Sequence, residues 1–233
     1  MIDYAGRDLE AMSEAERYHR EIVGRFSAYL GSRIVEVGAG SGNISRLLVE
    51  RNPTHLYALE PSDKMYRLLK KRLRGVRNAS AHHSFLSDFI ANEDVTEVDS
   101  ILSVNVLEHV DDYAGELEVM RSVLRAGVYL CLWVPALPGL YSRFDRSLGH
   151  FRRYRKTDVA EKLAAAGIET VRLAYRDVVG MVAWFLACRL MGQELTPGKV
   201  RVYDRLVMPV TSVFRHRIDP PFGKNVVAVA RKV

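Results

Sequence analysis

An α/β fold built on a parallel sheet, with helices on both faces, is what this sequence predicts. Three observations carry that expectation. Short β-branched runs alternate with helical stretches from residue 33 to residue 134, the order that yields a doubly wound sheet. The first run, Arg33–Val37, breaks into the turn Gly38-Ala39-Gly40-Ser41-Gly42 and then a helix, as at the ligand-binding mouth of such sheets. Several strand-like runs end in a polar or acidic group: Glu36, Glu60, Asp88 and Asn105.

The elements follow in order. Ser13 to Tyr29 spaces its apolar residues as a helix does, with Ser13 as N-cap and Glu16 three residues on. Strand one is 33–37. Residues 43–51 form a helix with Ile44, Leu47 and Leu48 on one face. Strand two, 55–59, ends in Glu60-Pro61-Ser62, and a helix covers about 63–73. A weak strand, 80–85, leads to Asp88. A strong strand, 98–104, runs into Asn105-Val106-Leu107-Glu108-His109. A helix over 116–125 stops near Gly127, and the strand 128–134 ends at Pro135. Residues 136–155 read as a long loop with a basic end. Then come a helix at 156–166 capped by Thr157, a strand at 170–175, and an apolar helix at 178–191. A second helix at 200–214, interrupted at Pro209, and a last β-branched strand at 225–231 complete the chain.

Composition sets bounds. At 233 residues, with 48% hydrophobic and 27% charged residues, one domain (1–233) with an ordinary core is expected. The net charge of +6 favours anionic partners but does not establish nucleic-acid binding, which is not expected. Cys131 and Cys188 read as buried thiols. No apolar run reaches the ~18–20 residues of a membrane span. The acidic first residues lack the apolar core of a signal peptide, so a cytoplasmic setting is the expectation. His82 and His83 are adjacent on a strand and point to opposite faces; no metal site is identified.

The glycine spacing, G-x-G-x-G with Asn43 at the sixth place, departs from the dinucleotide G-x-G-x-x-G. Glu36, two residues before the first glycine, would face a pyrophosphate but suits a cofactor with a cationic end, such as S-adenosylmethionine. Glu60 lies 22 residues after Gly38, the place of a ribose-binding carboxylate. Asp88 can accept from an adenine amino group, Phe89 can offer its N–H, and Met65 or Pro61 can cover the ring. Taken singly, the turn could be only a turn, Glu60 a helix-start acid, and Asp88 a loop acid.

The arrangement resembles the class I S-adenosylmethionine-dependent methyltransferases over nearly the whole chain. The resemblance rests on 36–43, Glu60, Asp88-Phe89 and 105–109. It implies a Rossmann-like seven-stranded sheet, parallel except for an antiparallel last strand, with a helical insertion before that strand. It also implies that Gly38 and Gly40 line the methionine part, with Ala39 among the cofactor-binding residues, that Glu36 holds the ammonium, and that Asn105 sits near the aminocarboxylate or sulfonium. The N-terminal helix (1–30) would be a lid whose Tyr18 touches the cofactor. Within the superfamily, Leu107-Glu108-His109-Val110, Leu148-Gly149-His150-Phe151-Arg152-Arg153-Tyr154 and Pro220-Pro221-Phe222-Gly223 resemble a group of bacterial small-molecule methyltransferases. Asp219-Pro220-Pro221-Phe222 also has the form of an amine-methylating motif, but its place before the last strand reads as a proline turn.

Methyl transfer is an in-line displacement in which alignment does most of the work, and a base is needed only where the nucleophile must lose a proton. His109, His150 and Tyr141 are the catalytic candidates. Asp145, Arg152, Arg153, Tyr154 and Trp184 are candidates for substrate contact, on a substrate loop (136–155) and a helical cap (177–224). The basic run could equally be a solvated face. The apolar helix 178–191 could pack on the sheet, form a homodimer surface, or wall an apolar substrate pocket. Transfer to an O, N or C atom of a small molecule, with S-adenosylhomocysteine as product, is the expectation. An RNA methyltransferase, a cyclase of this fold and a non-catalytic S-adenosylmethionine-binding subunit are the alternatives.

Overall fold

In the computed structural model, residues 15–92, 98–125, 128–186, 196–209 and 219–232 are described. Seven strands form one sheet: β1 (Arg33–Val37), β2 (His55–Leu59), β3 (Ala79–His82), β4 (Ser100–Val104), β5 (Tyr129–Pro135), β6 (Ile168–Arg176) and β7 (Asn225–Lys232). Their order is β3-β2-β1-β4-β5-β7-β6. β1 to β5 pair in parallel, and β7 runs antiparallel between β5 and β6. The strand order reverses between β1 and β4, so the ligand crevice is expected beyond their carboxyl ends.

The helices are α1 (Glu16–Phe26), α2 (Asn43–Val49), α3 (Asp63–Arg72), α4 (Leu86–Asn92), α5 (Tyr113–Val123), α6 (Arg143–Ser147), α7 (Lys156–Ala165), α8 (Val178–Trp184) and α9 (Pro197–Val202). Strand alternation divides the core. In β5, Leu130, Leu132 and Val134 face the layer that contains Leu117, Met120 and Leu163 of α5 and α7. Cys131 and Trp133 face the layer of Ile22 and Phe26 from α1 and Leu47 and Leu48 from α2. Both faces are covered, so the strand is apolar throughout. The same period puts Glu36 beside Ile34 on the α1–α2 face. An acid therefore occupies what would be a core position at the end of β1, and it is buried.

Several boundaries differ from the sequence reading. β3 is four residues long, and α4 begins at Leu86, where a strand was expected to continue to Phe85. α5 starts at Tyr113 because the Asp112 side chain accepts the Gly115 N–H at 3.1 Å. Thr157 does not cap α7. Arg155 occupies the cap position, and Asp158 accepts its N–H at 2.9 Å. Within 136–155, Ser142 and Asp145 form a capping box that folds α6. After α9 the backbone widens into a π-turn, Tyr203–Val207, just before Pro209, whose ring excludes the carbonyl four residues back. Ser13, Gly127, Cys188 and the distal parts of the helices expected at 178–191 and 200–214 lie outside the described residues.

The first described helix has no side-chain cap of its own. Asp204, buried on the π-turn, accepts the Tyr18 N–H at 2.9 Å and the Arg17 N–H at 3.1 Å. The cap segment thus holds α1 over the sheet by satisfying two orphan donors. Asp204→Ala is expected to cost about 1–2 kcal/mol, and to expose α1 to limited proteolysis before the rest of the chain. Equal cleavage rates in both proteins would show that α1 is held otherwise.

Candidate active site

A cavity of about 280 Å³ opens at the carboxyl ends of β1, β2 and β4. Its first half is built by the glycine turn. Gly38 has φ +69°, and a Cβ there would overlap Val106 Cγ2; only glycine passes between β1 and the β4 loop. Ala39 N–H bonds the Leu59 carbonyl at 2.8 Å, tying the turn to β2. The Glu60 carboxylate then accepts Gly40 N–H at 2.7 Å and Ser62 N–H at 2.8 Å, one on each oxygen. Both oxygens keep an acceptor position. Asn105 takes the left-handed conformation, φ +53°, which asparagine tolerates better than most residues. Its N–H bonds the Trp133 carbonyl at 2.8 Å.

Burial dominates the electrostatics. The Glu36 carboxyl is pushed up to about 8 by desolvation, with the Ser45 hydroxyl bond pulling the other way and the Glu60 charge adding to the rise. Ser45 Oγ donates to Glu36 Oε2 at 2.6 Å. Burial also raises Glu60, opposed by its two backbone bonds. Two desolvated carboxyls gain from a cationic group and from hydroxyl donors, and both penalise a pyrophosphate. At the β3 end, the Ser84 hydroxyl is buried without a partner and lines the same cavity. The glycine cradle, the two acceptor ends and this unused hydroxyl fit S-adenosylmethionine, an amino acid joined to a nucleoside with no phosphate.

Glu36 binds a proton in the native chain up to about pH 8, well above the range in which an unfolded glutamate titrates. The native state therefore holds the extra proton between about pH 4.5 and 8, and stability falls as pH rises through that window. Glu36→Gln is expected to melt higher than the parent at pH 8, with the gap closing towards pH 5. The same variant is expected to lose the melting shift caused by S-adenosylhomocysteine. Parallel melting curves at the two pH values check both; an unchanged gap would mean that Glu36 is ionised in the native chain.

The second half of the cavity joins two motifs distant in sequence. β4 leads into a 3-10 turn, Leu107–His109, and the Phe151 N–H bonds the Glu108 carbonyl at 2.7 Å. This bond brings the His109 and His150 rings into an edge contact, centroids 4.6 Å apart. Behind them Asp145, fully buried, accepts from His150 Nδ1 at 3.1 Å, Arg153 Nε at 2.8 Å and Ser142 N–H at 2.8 Å. These bonds and the Arg153 charge outweigh burial and keep its carboxyl below the usual range. Burial, helped by His150, lowers His109 to about 4. The Arg153 guanidinium lies over the Trp184 ring of α8 at 4.6 Å, and Phe144 meets the same ring edge-on at 5.4 Å, closing the apolar side. On the α1 side, Tyr18 Oη donates to Asn225 Oδ1 at 3.1 Å and accepts from Trp133 Nε1 at 3.2 Å.

Of the expected residues, Tyr18, Glu36, Gly38, Ala39, Gly40, Glu60, Pro61, Asn105, His109, His150, Arg153 and Trp184 line the cavity. The remaining ones lie elsewhere. Met65 is buried and off the wall. Asp88 is exposed and Phe89 is packed in the core on α4, because β3 ends early. Ser84, Phe85 and Leu86 take the place on the wall expected of them. Tyr141 is off the wall, and its hydroxyl donates to the His150 carbonyl at 2.7 Å. Tyr154 is core, edge-on to Tyr113. Arg152 bonds the Asp111 carbonyl at 2.9 Å on the outer face. Asp145 stands one layer behind the cavity. The apolar face of α8 is not packed on the sheet: Val179 and Val182 are exposed, as are Phe185 and Leu186 just beyond it. Asp219 pairs with Arg176 at 2.5 Å and does not line the cavity. Glu108, Glu116, Phe144 and Lys224 line the cavity without having been expected there. An acid beside His109, flanked by Val106, Leu107 and Val110, was the available signal for Glu108.

Fold and site together define a Rossmann-like S-adenosylmethionine-dependent methyltransferase domain. A methyltransferase-domain family matches residues 11–173, and the chain belongs to that family; its cofactor is S-adenosylmethionine. A trans-aconitate 2-methyltransferase from Acidovorax ebreus is 31% identical over 125 residues, 53% of this chain and 46% of that protein. The chain spans less than half the length of the curated relatives it matches. Among solved structures, the fold resembles that of a complex between the Trm112 methyltransferase activator and a methyltransferase from Haloferax volcanii. There the TM-score is 0.66 at 15% identity, over 97% of this chain and 93% of that one. It also resembles a methyltransferase from Archaeoglobus fulgidus, with TM-score 0.62 at 15% identity over 93% and 94%. Among the described residues, no helix is long and apolar enough to cross a membrane.

Proposed function

We propose that this chain, as a single domain over 1–233, transfers the methyl group of S-adenosylmethionine to an O, N or C atom of a small molecule. The bound cofactor supplies an electrophilic methyl on a sulfonium. Glu36 takes its ammonium, Glu60 its ribose hydroxyls, and Ser84 to Leu86 the adenine edge. Asn105 marks the reacting end, and α1 (within 1–30) acts as lid through Tyr18. The single observation behind a small acceptor is the second half of the cavity, where Phe144, Leu148 and Trp184 meet His109, His150 and Arg153. Apolar walls with few convergent polar groups suit a small, partly apolar molecule. On this reading the 136–155 loop, through Phe144 and Leu148, and the cap, through Trp184, supply those walls, and His109 and His150 position the nucleophile. Tyr141 has no part in this, since its hydroxyl is spent on the loop. Val179, Val182, Phe185 and Leu186 are the surface through which a homodimer would form, testable by sedimentation.

Transfer of labelled methyl from S-adenosylmethionine to a panel of hydroxy-, amino- and carboxyl-bearing small molecules, beside total RNA, tests the reading. Label in a small-molecule product is expected. Label in RNA alone would overturn it, and an unmethylated rearranged product would point to a cyclase.

A further inference from the structure

We propose that Glu108, His109 and His150 form a binding site for a divalent first-row transition-metal cation, with zinc as the natural occupant class. One ligand atom from each of the three lies within 4.8 Å of the others. Three ligands set tetrahedrally about 2.1 Å from a shared ion lie about 3.4 Å apart. Closing the difference takes at most about 0.7 Å from each side chain, within the reach of a χ adjustment.

Four features favour an ion there over a chance cluster. First, both Glu108 carboxylate oxygens are buried with no hydrogen-bond partner, while the residue lines the cavity. An unpaired buried carboxyl is costly, and a cation removes that cost. Second, His150 carries the support that metal-binding histidines have. Its Nδ1 faces the buried Asp145 carboxylate at 3.1 Å, which leaves Nε2 as the ligand and fixes the ring. Third, that supporting acid is itself neutralised by Arg153 at 2.8 Å, so the net charge left for the ion comes from Glu108. Fourth, two imidazoles and one carboxylate favour zinc or iron-like cations over magnesium or calcium, which prefer all-oxygen shells.

Three protein ligands leave an open position towards the cavity. An oxygen of the acceptor molecule can take it, which would lower the proton affinity of that oxygen and fix its direction. This last step rests on the methyl-transfer reading; occupancy of the site does not.

The test uses the untagged full chain, stripped with chelator and desalted, without S-adenosylmethionine. Cobalt(II) is titrated while its d–d absorption is followed, and zinc(II) is then added. One equivalent of cobalt, displaced by zinc, is the expected result. Glu108→Gln and His150→Gln are each expected to weaken binding at least about tenfold. Their folding is checked by circular dichroism. In the unmodified chain, zinc is expected to protect His150 from carbethoxylation, a readout that needs no variant. No saturable cobalt spectrum, unchanged affinity in folded variants, or no protection of His150 would each overturn the site. The melting shift with S-adenosylhomocysteine, measured on the same preparation, reports the cofactor half separately.

Discussion

Replacing Gly38 by alanine is expected to abolish the thermal stabilisation that S-adenosylhomocysteine gives the parent chain. At about 100 times its Kd, a ligand adds roughly 2.7 kcal/mol to the native state. For a chain of this size that is a shift of roughly 5–10 °C. Gly38 has φ +69°, and an added Cβ overlaps Val106 Cγ2. A non-glycine residue held in such a conformation costs about 1–3 kcal/mol. Turning the Val106 side chain can ease the overlap but not the φ strain, whose relief moves the turn away from the β4 loop. That movement displaces the Gly40 N–H that orients Glu60. Gly198→Ala is the control, since a Cβ there meets nothing within 4 Å and its backbone is helical. A Gly38→Ala protein that keeps the full ligand shift would remove the turn from the cofactor site.

Arg153→Met is expected to be the most destabilising single change in the second half of the site, lowering the melting temperature by about 10 °C. Arg153 is buried and holds the fully buried Asp145 carboxylate, with its guanidinium nitrogens at 2.8 Å. It also donates to the Ala136 carbonyl at 3.2 Å and lies over the Trp184 ring. Removing one partner of a buried pair costs about 3–5 kcal/mol, because the other charge is left uncompensated. At 2–4 °C per kcal/mol for this size, the shift follows. Arg152→Met, its neighbour in sequence, is expected to change the melting temperature by no more than about 2 °C. That side chain lies on the outer face against Asp111 and Tyr113, where exposed pairs contribute about 0–1 kcal/mol. Equal effects of the two substitutions would contradict the buried position of Arg153.

The contrast between these two arginines shows where sequence reading reached its limit. Both stand in one basic run, and composition cannot separate a solvated cation from one sealed behind a cavity. Their alternation along an extended segment, with Tyr154 bridged to Ala136, sends one inward and the other out. The adenine end failed for a related reason. Asp88 has the residue type of an adenine-binding acid, but β3 stops at His82 and α4 starts at Leu86. Wall positions therefore fall on Ser84 to Leu86, and Asp88 turns to solvent.

By itself the sequence determined the alternation of strands and helices and the strand ends that carry Glu36, Gly38, Gly40, Glu60 and Asn105. Those features follow from local rules: apolar period, β-branched runs, and the freedom of glycine at a tight turn. Only the tertiary structure decided which distant side chains share a cavity. The Phe151 to Glu108 backbone bond joins the β4 turn to the loop after β5, and so makes Glu108, His109 and His150 neighbours. Asp204 holds the start of α1 from the far end of the chain. Such contacts rest on loop closure and shared burial, which depend on the whole fold and leave no periodic trace in any one segment.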